Sequence, residues 1–126
     1  MRLPRAARSG ILAAMDVTPL EQLTRADFAA LTRTKFRVWI DAQDSVEMEL
    51  AEVTAPRILT ANGAKNATYE NFALNFLGPA GRLLAQRIYG FESAAIGRFE
   101  LFIVPVGQDA SGVQYQAAFN RLVKAT

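Results

Sequence analysis

The sequence predicts a mostly β fold of the α+β class, with a short N-terminal helix packed on a six-strand antiparallel barrel or sandwich. Three observations predict it. Apolar residues recur with a period of two in several separate stretches, the signature of half-buried strands. Turn residues separate these stretches at roughly ten-residue intervals, the spacing of small barrels and sandwiches. A single stretch with helical spacing precedes them all.

The helix begins at Thr24. Thr24-Arg25-Ala26-Asp27 has the form of a capping box, with Asp in the place of the usual Glu. Leu23 before the cap and Phe28 within the helix are placed to form a hydrophobic staple, and Phe28 and Leu31 share one face. The expected end lies near Arg33 or Thr34. A helix this short takes its stability from docking on the β body.

From Phe36 the period changes. Phe36, Val38 and Ile40 alternate with Arg37, Trp39 and Asp41. After the polar turn 41–45, Val46, Met48 and Leu50 alternate with Glu47, Glu49 and Ala51, to about Thr54. Residues 55–68 show no pattern, although Asn62-Gly63 signals a tight turn. Phe72, Leu74 and Phe76 then alternate with Asn71, Ala73 and Asn75, and Gly78-Pro79-Ala80-Gly81 ends the stretch. A short strand is expected over 87–92. Arg98 to Val104 is nearly all apolar, which predicts a strand covered on both faces and stopped by Pro105. After the turn 107–112, Val113, Tyr115, Ala117 and Phe119 alternate with polar or small residues and complete a hairpin.

At 126 residues the chain fits one domain. A chain of this length buries enough surface to fold without a disulfide or a metal. The net charge of +2 is misleading. Arg2, Arg5 and Arg8 have no acid near them, and without them 11 basic groups (14 less 3) face 12 acidic ones. The body is near neutral, so nucleic-acid binding is not expected. Ile11 to Met15 is too short for a signal-peptide core, and Met15 could itself start translation. Residues 1–14 are therefore read as a disordered basic leader, and 15–126 as a single helix-plus-β domain. No apolar run reaches the ~20 residues of a membrane helix. A cytoplasmic location is the default.

The chain holds neither Cys nor His. It thus lacks a thiol nucleophile, the commonest general base and the usual zinc ligands. The serines show no nucleophile elbow and no S-x-x-K spacing. Asp41, Asp44, Glu47, Glu49 and Glu52 are crowded together, but without the pattern of a calcium loop they read as a solvated face. Gly78 to Gly81 lacks the ending of a phosphate-binding loop. Arg82, Arg87, Tyr89, Phe91 and Arg98 mix cations with rings, but on a body without net positive charge. No catalytic residue, cofactor or metal is expected, and the chain is read as a non-enzyme.

Interaction remains. The last strand, around Tyr115 and Phe119, carries no charge from Gln114 to Asn120 and could pair with another chain at a sheet edge. Trp39 is out of phase with its apolar neighbours, so it points to the helix or to a partner. These three residues are the candidate interaction site, for a protein partner or for self-association. The alternative is a barrel holding a small apolar ligand in a cavity lined by Phe72, Phe76, Phe99 and Leu101.

The succession FALNFLGP (72–79), IGRFELFIVPVG (96–107) and YQAAFNRL (115–122) resembles a family of small uncharacterised bacterial proteins. LTRADFAALTRTKFRV (23–38) resembles the start of the same family, so the resemblance covers about residues 20–122. It implies no catalytic motif. It implies an association with phage-tail-collar-like proteins, and hence a component of a structural or surface assembly.

Overall fold

The computed structural model describes residues 17–61 and 67–125. The leader and Asn62-Gly63 lie outside the described residues. A 3-10 turn, Leu20–Gln22, leads to α1 (Arg25–Ala29). Seven strands follow: β1 (Lys35–Trp39), β2 (Ser45–Val53), β3 (Arg57–Ala61), β4 (Ala67–Gly78), β5 (Arg87–Ser93), β6 (Gly97–Asp109) and β7 (Gly112–Ala125).

The capping box is present. The Asp27 amide donates to the Thr24 hydroxyl at 3.1 Å, and the Thr24 amide donates to the Asp27 carboxylate at 2.8 Å. The helix is shorter than its sequence suggests, because the chain turns away after Ala30. Arg33 takes a left-handed φ of 74°. Its amide donates to the Leu50 carbonyl at 2.7 Å, which ties the end of the turn to β2.

All pairings between the seven strands are antiparallel, in one sheet of order β2-β1-β5-β6-β7-β4-β3. A further pairing of β2 with β4, at Glu49↔Leu77 and Leu50↔Phe76, joins distant parts of this order. Hydrogen-bonded neighbours therefore run in a cycle through β1, β2, β4, β7, β6 and β5. The alternation seen in the sequence decides what lies inside it. Phe36, Val38, Met48, Leu50, Leu74, Phe76, Phe91, Phe99, Ile103, Val113 and Tyr115 are all buried to 1% exposure or less.

Three strand expectations change. The patternless stretch contains β3, the seventh strand. Its apolar residues, Ile58 and Leu59, are both exposed, so no inside-outside alternation marked it. Pro105 does not end β6. The strand continues to Asp109 with a register shift between Pro105 and Gly107, where a residue without an amide proton fits a break in the ladder. Nor is β6 covered on both faces, since Phe102 is 48% exposed.

β6 and β7 part company at one end. Their pairing stops at Val104↔Gln116, and the N-terminal residues enter the space beyond. Val17 bridges to Arg98, the Thr18 amide donates to the Arg98 carbonyl at 2.7 Å, and Phe28 reaches in between Phe99 and Phe119. Arg121 holds this hook in place. Its guanidinium donates to the Leu20 and Leu23 carbonyls and lies 4.7 Å from the Phe119 ring centre.

Candidate functional site

The candidate ligand-lining residues Phe72, Phe76, Phe99 and Leu101 all face inward and are buried. They meet other side chains. Phe72 stacks on Phe119 at 4.7 Å, Phe76 stands edge-on to Phe36 at 5.6 Å, and Phe99 meets Phe36 at 6.1 Å and Phe91 at 5.6 Å. Such stacked, tilted and edge-on contacts are the geometry of a packed aromatic core.

The three interaction candidates are not brought together. Tyr115 is fully buried and Phe119 is 8% exposed. The period that places Val113 inside places both of them inside too, so neither side chain is offered to a partner. The Tyr115 hydroxyl accepts a hydrogen bond from the Leu84 amide at 2.9 Å, and burial pushes its pKa above the ordinary tyrosine value. Trp39 does lie outside, half-buried. It is covered by neighbours on its own face, with the Arg37 and Arg98 guanidinium groups 5.7 and 5.6 Å from its ring. Its indole N–H donates to Glu92 at 3.1 Å. Cross-strand pairs Glu47–Arg37–Glu92–Arg98 run beside it as a row of alternating charge.

The crowded acids are dispersed in the structure. Asp44 pairs with Arg82, which holds its carboxyl below the usual carboxylate range. Glu47 is 3.8 Å from Lys35, and Glu52 accepts from Asn75 at 2.9 Å. Among the described residues no three acids gather as a metal site would require.

Sequence reasoning missed a part of the sheet that exposes apolar side chains. β4 is long enough to pair with β2 through its C-terminal half and with β3 through its N-terminal half, while β7 follows its other edge throughout. β3, the start of β4 and the end of β7 thus form a three-stranded extension. Leu59, Tyr69 and Leu122 are direct cross-strand neighbours there. Of the nine large exposed apolar residues among the described residues, Ile58, Leu59, Leu122 and Val123 belong to this extension. Among the described residues, β7 has no ladder on its β6 side beyond Gln116, and β3 pairs only with β4. The extension therefore presents both apolar side chains and unpaired strand edges. The signal that could have found it was the Ile58-Leu59 pair, followed by a turn dipeptide and then Tyr69.

A second concave surface lies over β4 and β7. Ala73 and Ala118 are paired neighbours within it, and Asn71, Asn120, Thr54 and Arg57 stand around them. Asn75 links Glu52 to Gln116 by hydrogen bonds of 2.9 and 3.2 Å.

No helix among the described residues is long and apolar enough to cross a membrane. Neither a curated protein nor a solved structure matches the chain. A family profile does match, over residues 23–119, from the helix cap to the last inward-facing phenylalanine of β7. The chain belongs to the family described as a domain of unknown function, DUF6916.

Proposed function

We propose that this chain is a non-enzymatic structural or protein-interaction module, and that its six-strand cycle is a barrel serving as a rigid base for the β3–β4–β7 extension. The observation that carries this reading is the row Leu59–Tyr69–Leu122, in which Leu59 and Leu122 are 42% and 58% exposed. Apolar side chains concentrated beside open strand edges favour association, by strand addition or by face-to-face packing. A second copy of the chain is the partner we favour, because like extensions offer each other both edges and apolar rows. The sequence resemblance extends the reading to a component of a bacterial phage-tail-like or surface assembly. The alternative, a small apolar-ligand-binding β-barrel, has less support, since the aromatic rings of the interior already contact one another.

Sedimentation of the full chain over a concentration series tests the reading. A dimer or larger assembly is expected, and Leu59→Lys with Leu122→Lys should return it to monomer without loss of β circular dichroism. A wild-type chain that remains monomeric up to about 1 mM would overturn self-association.

A further inference from the structure

A different surface points to a different partner. The N-terminal hook, residues 17–21, runs beside the outer face of β5 and β6 and leaves a groove of about 460 Å³ lined by Ile88, Glu100 and Phe102 on the sheet side. We propose that this groove docks an extended segment of another protein that presents an apolar side chain flanked by arginine or lysine.

The apolar half of the argument begins with Phe102. The run Arg98 to Val104 has the composition of a strand covered on both faces, yet the described residues cover only one. Ile88 and Phe102 are direct cross-strand neighbours, 61% and 48% exposed, and Val17 on the opposite wall is 38% exposed. Three large exposed apolar residues therefore face one concavity, separate from the extension. Its volume falls within the range of roughly 300–1,000 Å³ typical of ligand pockets.

The groove is also built in advance. Its hook wall is pinned by the Thr18 amide on the Arg98 carbonyl and by Arg121 on the Leu20 and Leu23 carbonyls. An occupant would not have to order that wall, which removes part of the entropic cost of association.

Charge selects the occupant. Glu21 and Glu100 line the groove, and among the described residues no Lys or Arg lines it. Two copies meeting here would bring four carboxylates together, so a second copy is disfavoured at this surface. A segment carrying cations beside its apolar anchor would neutralise them instead.

The test uses the full chain and a fluorescent peptide, Arg-Leu-Phe-Leu-Arg with blocked ends, against a twin in which both arginines are Glu. Anisotropy should show the basic peptide binding at least about tenfold more tightly than its twin, with the difference shrinking as salt rises. Phe102→Ser and Glu100→Lys should each weaken binding about tenfold or more, and Leu122→Lys should leave it unchanged. Both substitutions are at exposed positions, and unaltered circular dichroism would establish that they fold. Equal binding of the two peptides, no saturable binding up to about 1 mM, or indifference to Phe102→Ser would overturn the proposal. A photo-crosslinker at position 102 that captures a second copy, or residues 1–16 of the same chain, would overturn it as well.

Discussion

The Phe28 ring lies 5.8 Å from the Phe119 ring, across the space where β6 and β7 have separated. The same ring meets Phe99 of β6 edge-on, also at 5.8 Å. One residue of a five-residue helix thus joins the two strands whose ladder has ended. Phe28 is fully buried, so Phe28→Ala removes a large side chain and leaves a cavity. A loss of about 3–5 kcal/mol is expected in urea unfolding. A loss below about 1 kcal/mol would mean that the hook is not seated in solution.

Phe102→Ala serves as the contrast. Central position in β6 and an apolar sequence suggest a core phenylalanine, for which the same substitution would cost about 3–5 kcal/mol. The side chain is 48% exposed, however, and leaves no enclosed cavity when truncated. The expected loss is below about 1.5 kcal/mol, because only part of the side chain leaves water on folding. The two variants, measured under the same conditions, separate a buried phenylalanine from an exposed one.

Phe102 also shows what could be read from the sequence. Alternation located four strands and the apolar run 98–104 a fifth, because a side chain pointing inward must be apolar and its neighbours need not be. The capping box at Thr24 was visible because its two hydrogen bonds are local. β3 was invisible because Ile58 and Leu59 are both exposed, and its pairing is supplied by the backbone of β4. The contact of Leu50 with Phe76 that joins β2 to β4 spans a separation no local pattern encodes. The groove at Phe102 depends on where the hook passes, and a run that is apolar on both sides does not say which chain covers it. Tyr115 is the instructive case. Its alternation with Val113 already placed it inside, and the absence of charge around it reflected burial and pairing more than availability.

Tyr115→Phe tests that interior position. The hydroxyl accepts from the Leu84 amide, and Leu84 is itself 6% exposed. Removing the oxygen leaves a buried N–H without its partner, at a cost of about 1–3 kcal/mol. The pH dependence has a definite sign. Burial raises the pKa of Tyr115 in the folded chain, so the unfolded chain loses its proton first. The contribution is whole below the ordinary tyrosine value of about 10 and is lost as pH rises from there through the raised folded value. Alkaline unfolding should therefore be shallower in Tyr115→Phe than in the parent chain. Equal slopes would show that Tyr115 does not titrate with unfolding.

On the acid side, two carboxylates act in the opposite sense. Asp44 is held down by its hydrogen bond to Arg82, and Asp109 by bonds from the hydroxyl and amide of Ser111. Each contributes stability above the ordinary carboxylate pKa, and that contribution is lost as pH falls through the lowered folded value. Asp109→Asn should flatten the acid limb of the melting-temperature profile and leave the neutral-to-alkaline limb unchanged. Salt should weaken only the Asp44 contribution, which rests on the Arg82 cation, since neutral donors hold Asp109. An acid limb identical in the two proteins would refute the assignment.

The turn between β6 and β7 provides the sharpest steric test. Gly81 and Gly112 both have positive φ, 82° and 147°. A β-carbon at Gly81 would meet nothing within 4 Å, so Gly81→Ala pays only the backbone strain of a left-handed residue, about 1–2 kcal/mol. At Gly112 a β-carbon would run into the carbonyl oxygen of Gly78 and also meet the Leu77 side chain at 3.0 Å. A backbone oxygen cannot swing aside as a side chain can, and Gly78 pairs with Val113 in the β4–β7 ladder. Gly112→Ala must therefore distort the ladder as well as the turn, and should cost clearly more than Gly81→Ala in the same unfolding experiment. Equal losses would mean that strands β4 and β7 approach less closely at this end than the geometry requires.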